Sequence, residues 1–164
     1  MKKADKFLIG IVIAIILIVV AAFVVTMTRP EETYLAEDSP ENIVHNYLLA
    51  IQREEYERAY RYLWPQIIHY PASQLIFEQD IEYYSWTFGE GQDITLSVKG
   101  ATIRENQATV EVLESRFYGG NLFDSGQSVS TFKMELILRD GEWKIKDGDS
   151  YFVWCWTAKE GCEK

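Results

Sequence analysis

Glu114 and Arg116 are the two residues of this chain whose types and spacing could do chemistry together. They follow a stretch in which apolar Ala108, Val110 and Val112 alternate with Thr109, Glu111 and Leu113, the period of a strand. Residues two apart share a face. Carrying the apolar, even-numbered face past Val112 therefore predicts that both side chains point inward. There Glu114 could act as a base or an anchor, while Arg116 holds an anionic ligand. The plainer account is that the strand leaves the core at this point and both side chains reach solvent.

Other chemistry-bearing residues lead less far. His45 sits beside an apolar helical stripe, and His69 lies between Pro65 and Pro71 in a connection. Neither has a second histidine or a cysteine at ligand spacing, so no metal site is expected. Asp147-Gly148-Asp149 has the look of a calcium-loop fragment, but it lacks the loop's frame and terminal glutamate and reads as a turn. Ser125 is flanked by Asp124 and Gly126 with no base in view, and Asp80 and Glu82 are expected to lie exposed on a helix. The chain has no Gly-x-Ser-x-Gly elbow, phosphate loop or dinucleotide fingerprint, so no catalytic residue and no cofactor are assigned. Cys155 and Cys162 are the only cysteines. An even pair in an oxidising compartment reads as a disulfide rather than two free thiols. The tryptophans, Trp64, Trp86, Trp143, Trp154 and Trp156, are expected to fill a core rather than line an apolar or carbohydrate pocket.

Charge and hydropathy place these residues in a compartment. The chain has 164 residues, with 48% hydrophobic and 25% charged, enough for one domain and an appendage and inconsistent with general disorder. Residues 1–29 carry four basic residues against Asp5, a net of +3; the remainder carries 12 basic and 24 acidic residues, a net of −12. So acidic a domain is not built for nucleic acid, and an anionic lipid surface would repel it. From Phe7 to Val25 no residue is charged. As a helix that run spans about 28 Å, close to the hydrocarbon thickness. Lysines precede it and acidic residues follow it, so the N-terminus is expected in the cytoplasm and the rest outside. The alternative is a cleaved secretory signal with a site near Val20-Ala21-Ala22, but the run is longer than an ordinary signal. The expected plan is a cytoplasmic tail (1–6), a transmembrane helix (7–27), an acidic linker (28–38) and an extracytoplasmic domain (39–164), a single-pass protein of the cell membrane.

The outer domain reads as helices, then strands. Ser39-Pro40-Glu41 is a helix start, followed by Ile43, Val44, Tyr47, Leu48 and Ile51 at helical spacing. Tyr56, Ala59, Tyr60 and Leu63 mark a second helix ended by Pro65, with Glu54–Arg58 and Glu57–Arg61 as supporting pairs. A third helix is expected within 72–84. Four strands follow, around 94–98, 108–113, 128–139 and 142–146, the last two joined by the Asp140-Gly141 turn. The stretch 118–127 is a glycine-rich loop, and Tyr151–Trp156 is a final strand or a packed tail. This is an α+β pattern with helices on one face of an antiparallel sheet.

Ser39-Pro40-Glu41, Tyr56-Glu57-Arg58-Ala59-Tyr60 and the hairpin Arg139-Asp140-Gly141-Glu142-Trp143-Lys144-Ile145 carry a resemblance to the NTF2-like superfamily, over residues 39 to about 156. The resemblance implies a cone in which a strongly curved sheet wraps around N-terminal helices. Some members isomerise, dehydrate or hydrate small apolar molecules inside the cone, and others serve as single-pass envelope scaffolds. Many dimerise through the outer sheet face. Here that face, with Thr95, Ser97, Lys99, Thr109, Glu111, Thr131, Lys133 and Glu135, is polar and leaves Leu113 and Ile137 isolated, so a monomer or a weak dimer is expected. The favoured function is a non-catalytic, membrane-anchored module binding an envelope protein or a small ligand. The alternatives are an isomerase or dehydratase using the cone and an envelope scaffold component, although a six-residue tail offers little to grip inside.

Overall fold

Ser39 opens its helix as its side chain dictates. Its Oγ accepts the Asn42 N–H at 3.2 Å, and Pro40 fills the first turn, where a missing N–H goes unnoticed. The computed structural model describes residues 3–27, 32–84, 93–118 and 126–162. They form two units, 1–33 and 34–164.

The first unit holds one helix, α1 (Lys3–Met27). Its side chains are described over 8–23 and are exposed throughout, as with Leu8, Ile18 and Phe23. Among the described residues no helix is long and apolar enough to cross a membrane. The stretch 8–23 would reach only about 24 Å at 1.5 Å per residue.

The second unit is α+β: helices α2 (Pro40–Gln52), α3 (Tyr56–Arg61) and α4 (Gln74–Tyr83), then strands β1 (Asp93–Arg104), β2 (Gln107–Tyr118), β3 (Gly126–Arg139) and β4 (Glu142–Gly148). The strands form one antiparallel sheet in the order β1-β2-β3-β4. The apolar stripe of α2 packs on β1, β2 and β4, and Val44, Tyr47 and Leu48 are buried in one core with Leu96, Val110, Val112 and Ile145.

Several elements differ from the sequence expectation, each for a structural reason. Helix α3 stops at Arg61 because the next residues join the sheet edge. The Ile145 N–H donates to the Tyr62 carbonyl and the Trp64 N–H to the Ile145 carbonyl, both at 2.8 Å, so Leu63 covers β4. Glu54 lies outside α3, in the left-handed region at φ 58°, and the ion pair that Arg58 makes is with Glu55 at 3.7 Å rather than with Glu54. Strand β1 continues six residues beyond Val98 through a bulge before Gly100, which resets its phase so that Ala101 packs on the core. Tyr151–Trp156 is a packed tail ending in a short 3-10 turn (Trp154–Trp156), not a strand. It turns back over the sheet at Gly148, where a Cβ would stand 3.1 Å from the Phe152 Cβ. Gly89 and Gly91, and most of the glycine-rich loop, lie outside the described residues.

Half of the acidic linker belongs to the domain. Asn46, fully buried, accepts the Leu35 N–H at 2.8 Å and donates to the Leu35 carbonyl at 2.9 Å, as a neighbouring strand would. Tyr34 donates to Glu55 and holds the Arg58 guanidinium over its ring at 3.7 Å, while Tyr62 donates to Glu37.

Cys155 and Cys162 form a disulfide. It closes a short loop, and on the chain-entropy account it stabilises the domain by about 2.5 kcal/mol. Intact mass of the unreduced, denatured chain should show no alkylatable thiol. Cys155→Ala/Cys162→Ala should unfold at lower denaturant by about that amount; an unchanged midpoint would mean that the bridge does not hold the tail.

Candidate functional site

Strand β2 keeps its alternation as far as its end, so the inner face that carries Val110 and Val112 also carries Glu114. Glu114 is 4% exposed. It lies opposite Leu96 on β1 and Ser130 on β3, and it does not leave the core as the plainer reading held. Arg116, the next residue on that face, reaches back with its Nε 2.6 Å from Glu114 Oε1. The guanidinium is partly exposed, so the pair runs from the interior towards solvent.

A third residue completes the cluster, and sequence reading did not single it out. The Tyr151 hydroxyl donates to the same Oε1 at 3.0 Å, and Ser130 Oγ approaches Oε2 at 3.5 Å. Tyr151 is itself held from the other end, since its carbonyl accepts the Tyr47 hydroxyl of α2 at 2.7 Å. Its ring packs 5.3 Å from that of Phe132. Its backbone lies in the left-handed region at φ 55°, which costs an aromatic residue about 1 kcal/mol or more. The signal in the sequence was weak: a tyrosine in a tail apolar on both faces.

Glu114 Oε1 takes two donors, which fix the carboxylate in place, while Oε2 meets only the Ser130 hydroxyl at 3.5 Å and keeps acceptor capacity. Burial, then the neighbouring Glu114 charge, pushes the Tyr151 hydroxyl well above the usual tyrosine range. It stays protonated and donates its hydrogen bond to Glu114. Arg116 neutralises the carboxylate. Together they tie the C-terminal tail to β2 and α2.

The remaining sequence candidates fall elsewhere. Asp80 is 3% exposed, against expectation, and accepts the Trp156 indole N–H at 2.9 Å; α4 carries it inward while Glu82 stays exposed. His45 is half-buried on α2. His69 donates its backbone N–H to the Trp156 carbonyl, and its ring faces Gly161 across the disulfide loop. Asp147 and Asp149 use their carboxylates on backbone and hydroxyl donors: Asp147 on the Gly148 N–H and the Thr157 hydroxyl, Asp149 on the Lys133 N–H. Ser125, Asp124 and Trp86 lie outside the described residues. Of the other tryptophans, Trp156 is fully buried and stacked on Phe77 at 5.4 Å, Trp143 is buried, Trp64 is half-buried and Trp154 is exposed. The described grooves lie elsewhere than at Glu114. One of them, about 750 Å³, sits on the outer sheet face beside the β1–β2 turn.

No family model and no curated protein matches this chain. Among solved structures it is similar to a SEC-C motif protein from Rhodopseudomonas palustris, at 15% identity over 72% of this chain and 83% of that one, with a TM-score of 0.49. It is also similar to an NTF2-like protein with a cystatin-like fold from Novosphingobium aromaticivorans, at 11% identity over 66% and 75% of the two chains, with a TM-score of 0.44. A third, an NTF2-like family protein from Streptomyces avermitilis provisionally assigned as a dehydratase, is 13% identical over 65% and 88%, with a TM-score of 0.44. Similarity at this level says nothing about chemistry.

Two predictions follow from the cluster. Glu114→Gln keeps a side-chain oxygen for Tyr151 but removes the charge that Arg116 faces, and should cost about 1–3 kcal/mol in denaturant unfolding. A neutral effect would show that the cluster does not hold the tail. Alkali should act through the buried hydroxyls. Burial raises Tyr47 far above the usual 10, and burial followed by the bond to Glu37 raises Tyr62 to about 12. Unfolded tyrosines lose their protons near pH 10 while these keep theirs. Stability must therefore fall as pH rises above about 10, at up to about 1.4 kcal/mol per pH unit for Tyr47. The last tyrosines should ionise, read at 295 nm, together with the loss of ellipticity. Complete ionisation in a folded chain would contradict this.

Proposed function

We propose that this protein is a membrane-anchored, extracytoplasmic module of the NTF2-like kind that binds a partner and catalyses nothing. The observation that carries the reading is the state of Glu114. It is the one inward carboxylate on the sheet's described inner face, and its bonds run to Arg116, Tyr151 and Ser130. The NTF2-like assignment rests on helices packed against one face of a four-stranded antiparallel sheet and on the sequence motifs given above. In this reading the helices lie in the concave face of the cone.

The anchor in this proposal is the apolar run from Phe7 to Val25, which lies within α1 and exceeds the length of its described side chains. Lysines before the run orient the N-terminus to the cytoplasm, and the Cys155–Cys162 bridge suits an oxidising exterior. Tyr34, Leu35 and Glu37 are bonded to the domain, so the free part of the linker is shorter than 28–38 in this reading. A monomer or a weak dimer fits the paired charges of the outer face.

The competing reading, an isomerase or dehydratase acting on a small apolar molecule, draws on the same Glu114–Tyr151 pair. One titration separates the two. The full chain in detergent micelles is mixed with a panel of apolar ketones, phenols and sterols, and tryptophan fluorescence is followed. The module reading expects no saturable change; a saturable change abolished by Glu114→Gln would replace it with the enzyme reading. Topology is checked by protease added to intact cells making the chain: residues 34–164 should be digested while the N-terminus is protected. Protection of the whole chain would overturn the exterior placement.

A further inference from the structure

The outer face of the sheet pairs its charges unevenly. Strand β4 supplies two lysines to neighbouring acids: Lys146 binds Glu135 and Lys144 binds Glu142, each at 3.0 Å. Glu142 is also the cross-strand neighbour of Arg139, so its engagement by Lys144 leaves Arg139 without its nearest counter-charge. Arg104, at the end of β1, lies opposite Gln107, which cannot neutralise it. Among the described residues neither arginine is in an ion pair. Two uncompensated guanidinium groups are therefore present on a domain that is strongly acidic overall.

Both arginines line the same groove, the 750 Å³ depression beside the β1–β2 turn. Gln107 pairs with Arg104 on one side and Ile137 on the other, and Arg139 is two residues beyond Ile137 on the same face. Strand spacing puts the two arginine Cα atoms about 12 Å apart, so their side chains can close on a ligand from opposite sides. Between them lie an apolar floor, Ile137, and the amide and hydroxyl groups of Asn106, Gln107 and Thr109. One acid, Glu105, stands at the rim in the left-handed region at φ 53°.

We infer that this groove takes an extended acidic peptide segment of a partner protein, with its carboxylates on Arg104 and Arg139. The inference rests on the binding-module reading and names the partner's chemistry. Guanidinium forks match carboxylates. The amide side chains can both donate to and accept from peptide groups, whereas a bare inorganic anion would leave their carbonyl oxygens without a donor. The apolar floor receives an aliphatic stem. The repulsion that the acidic domain exerts on such a segment is screened beyond about 8 Å at physiological salt, so contacts within the groove decide binding.

The test uses the full chain in detergent micelles and a fluorescein-labelled peptide of alternating glutamate and alanine, read by polarisation. A peptide with glutamine for glutamate and inorganic phosphate serve as controls. The glutamate peptide should bind saturably, and about tenfold more tightly than the glutamine peptide. Arg104→Gln/Arg139→Gln should lower its affinity about tenfold at an unchanged thermal midpoint, since both side chains are exposed. Glu105→Gln should raise it by removing a like charge. Equal binding of the two peptides, or wild-type affinity in the double variant, would overturn the inference. So would arginine-dependent binding of phosphate without binding of the peptide, which would make the groove a small-anion site. Failure here leaves the module reading intact, because that reading is tested separately by the ligand titration at Glu114 and by the protease topology experiment.

Discussion

The bond from the Tyr151 hydroxyl to the Glu114 carboxylate is the contact on which the C-terminal part of the domain depends. A carboxylate within a sheet's inner face is costly to desolvate unless its lone pairs are met. Arg116 meets it from the solvent side and Tyr151 from the interior, while Tyr47 fixes the Tyr151 backbone from α2. One buried charge thus joins a strand, a helix and the tail. Once the tail is set, Trp156 can reach Asp80 on α4 and its carbonyl can accept the His69 N–H from the connection before that helix. The disulfide then closes the end of the chain around the same tail.

The same satisfaction of bonding groups bears on function. A catalytic carboxylate must keep a lone pair or a proton free for its substrate, and a structural one must not. At Oε1 Glu114 is bonded as a structural carboxylate. On the outer face Lys144 and Lys146 are engaged by Glu142 and Glu135, while Arg104 and Arg139 line one groove without an ion pair among the described residues.

The second half of the linker shows how composition can mislead. Its acidic sequence suggests a free spacer, and nothing in its spacing points to Asn46. Yet Asn46 gives Leu35 both hydrogen bonds of a strand neighbour, and Tyr34 is clasped between Glu55 and Arg58. A buried asparagine on an apolar helix face is the residue that needs such a partner.

The sequence by itself determined the local elements. Helix caps, apolar periods and the Asp140-Gly141 turn are short-range signals, and Ser39, the α2 stripe and the β3–β4 hairpin follow from them. The inward phase of Glu114 was legible for the same reason, because alternation carries across a regular strand. Tertiary structure decided what alternation cannot carry. The bulge at Gly100 reverses the phase of β1, α3 ends where Tyr62 and Trp64 meet β4, and Asp80 turns inward to the Trp156 indole. The pairing of Glu114 with Tyr151, 37 residues away, and the isolation of Arg139 from Glu142 belong to the same class. Each depends on which distant group arrives at a given face, and a hydrogen bond or ion pair between segments leaves no period in either one.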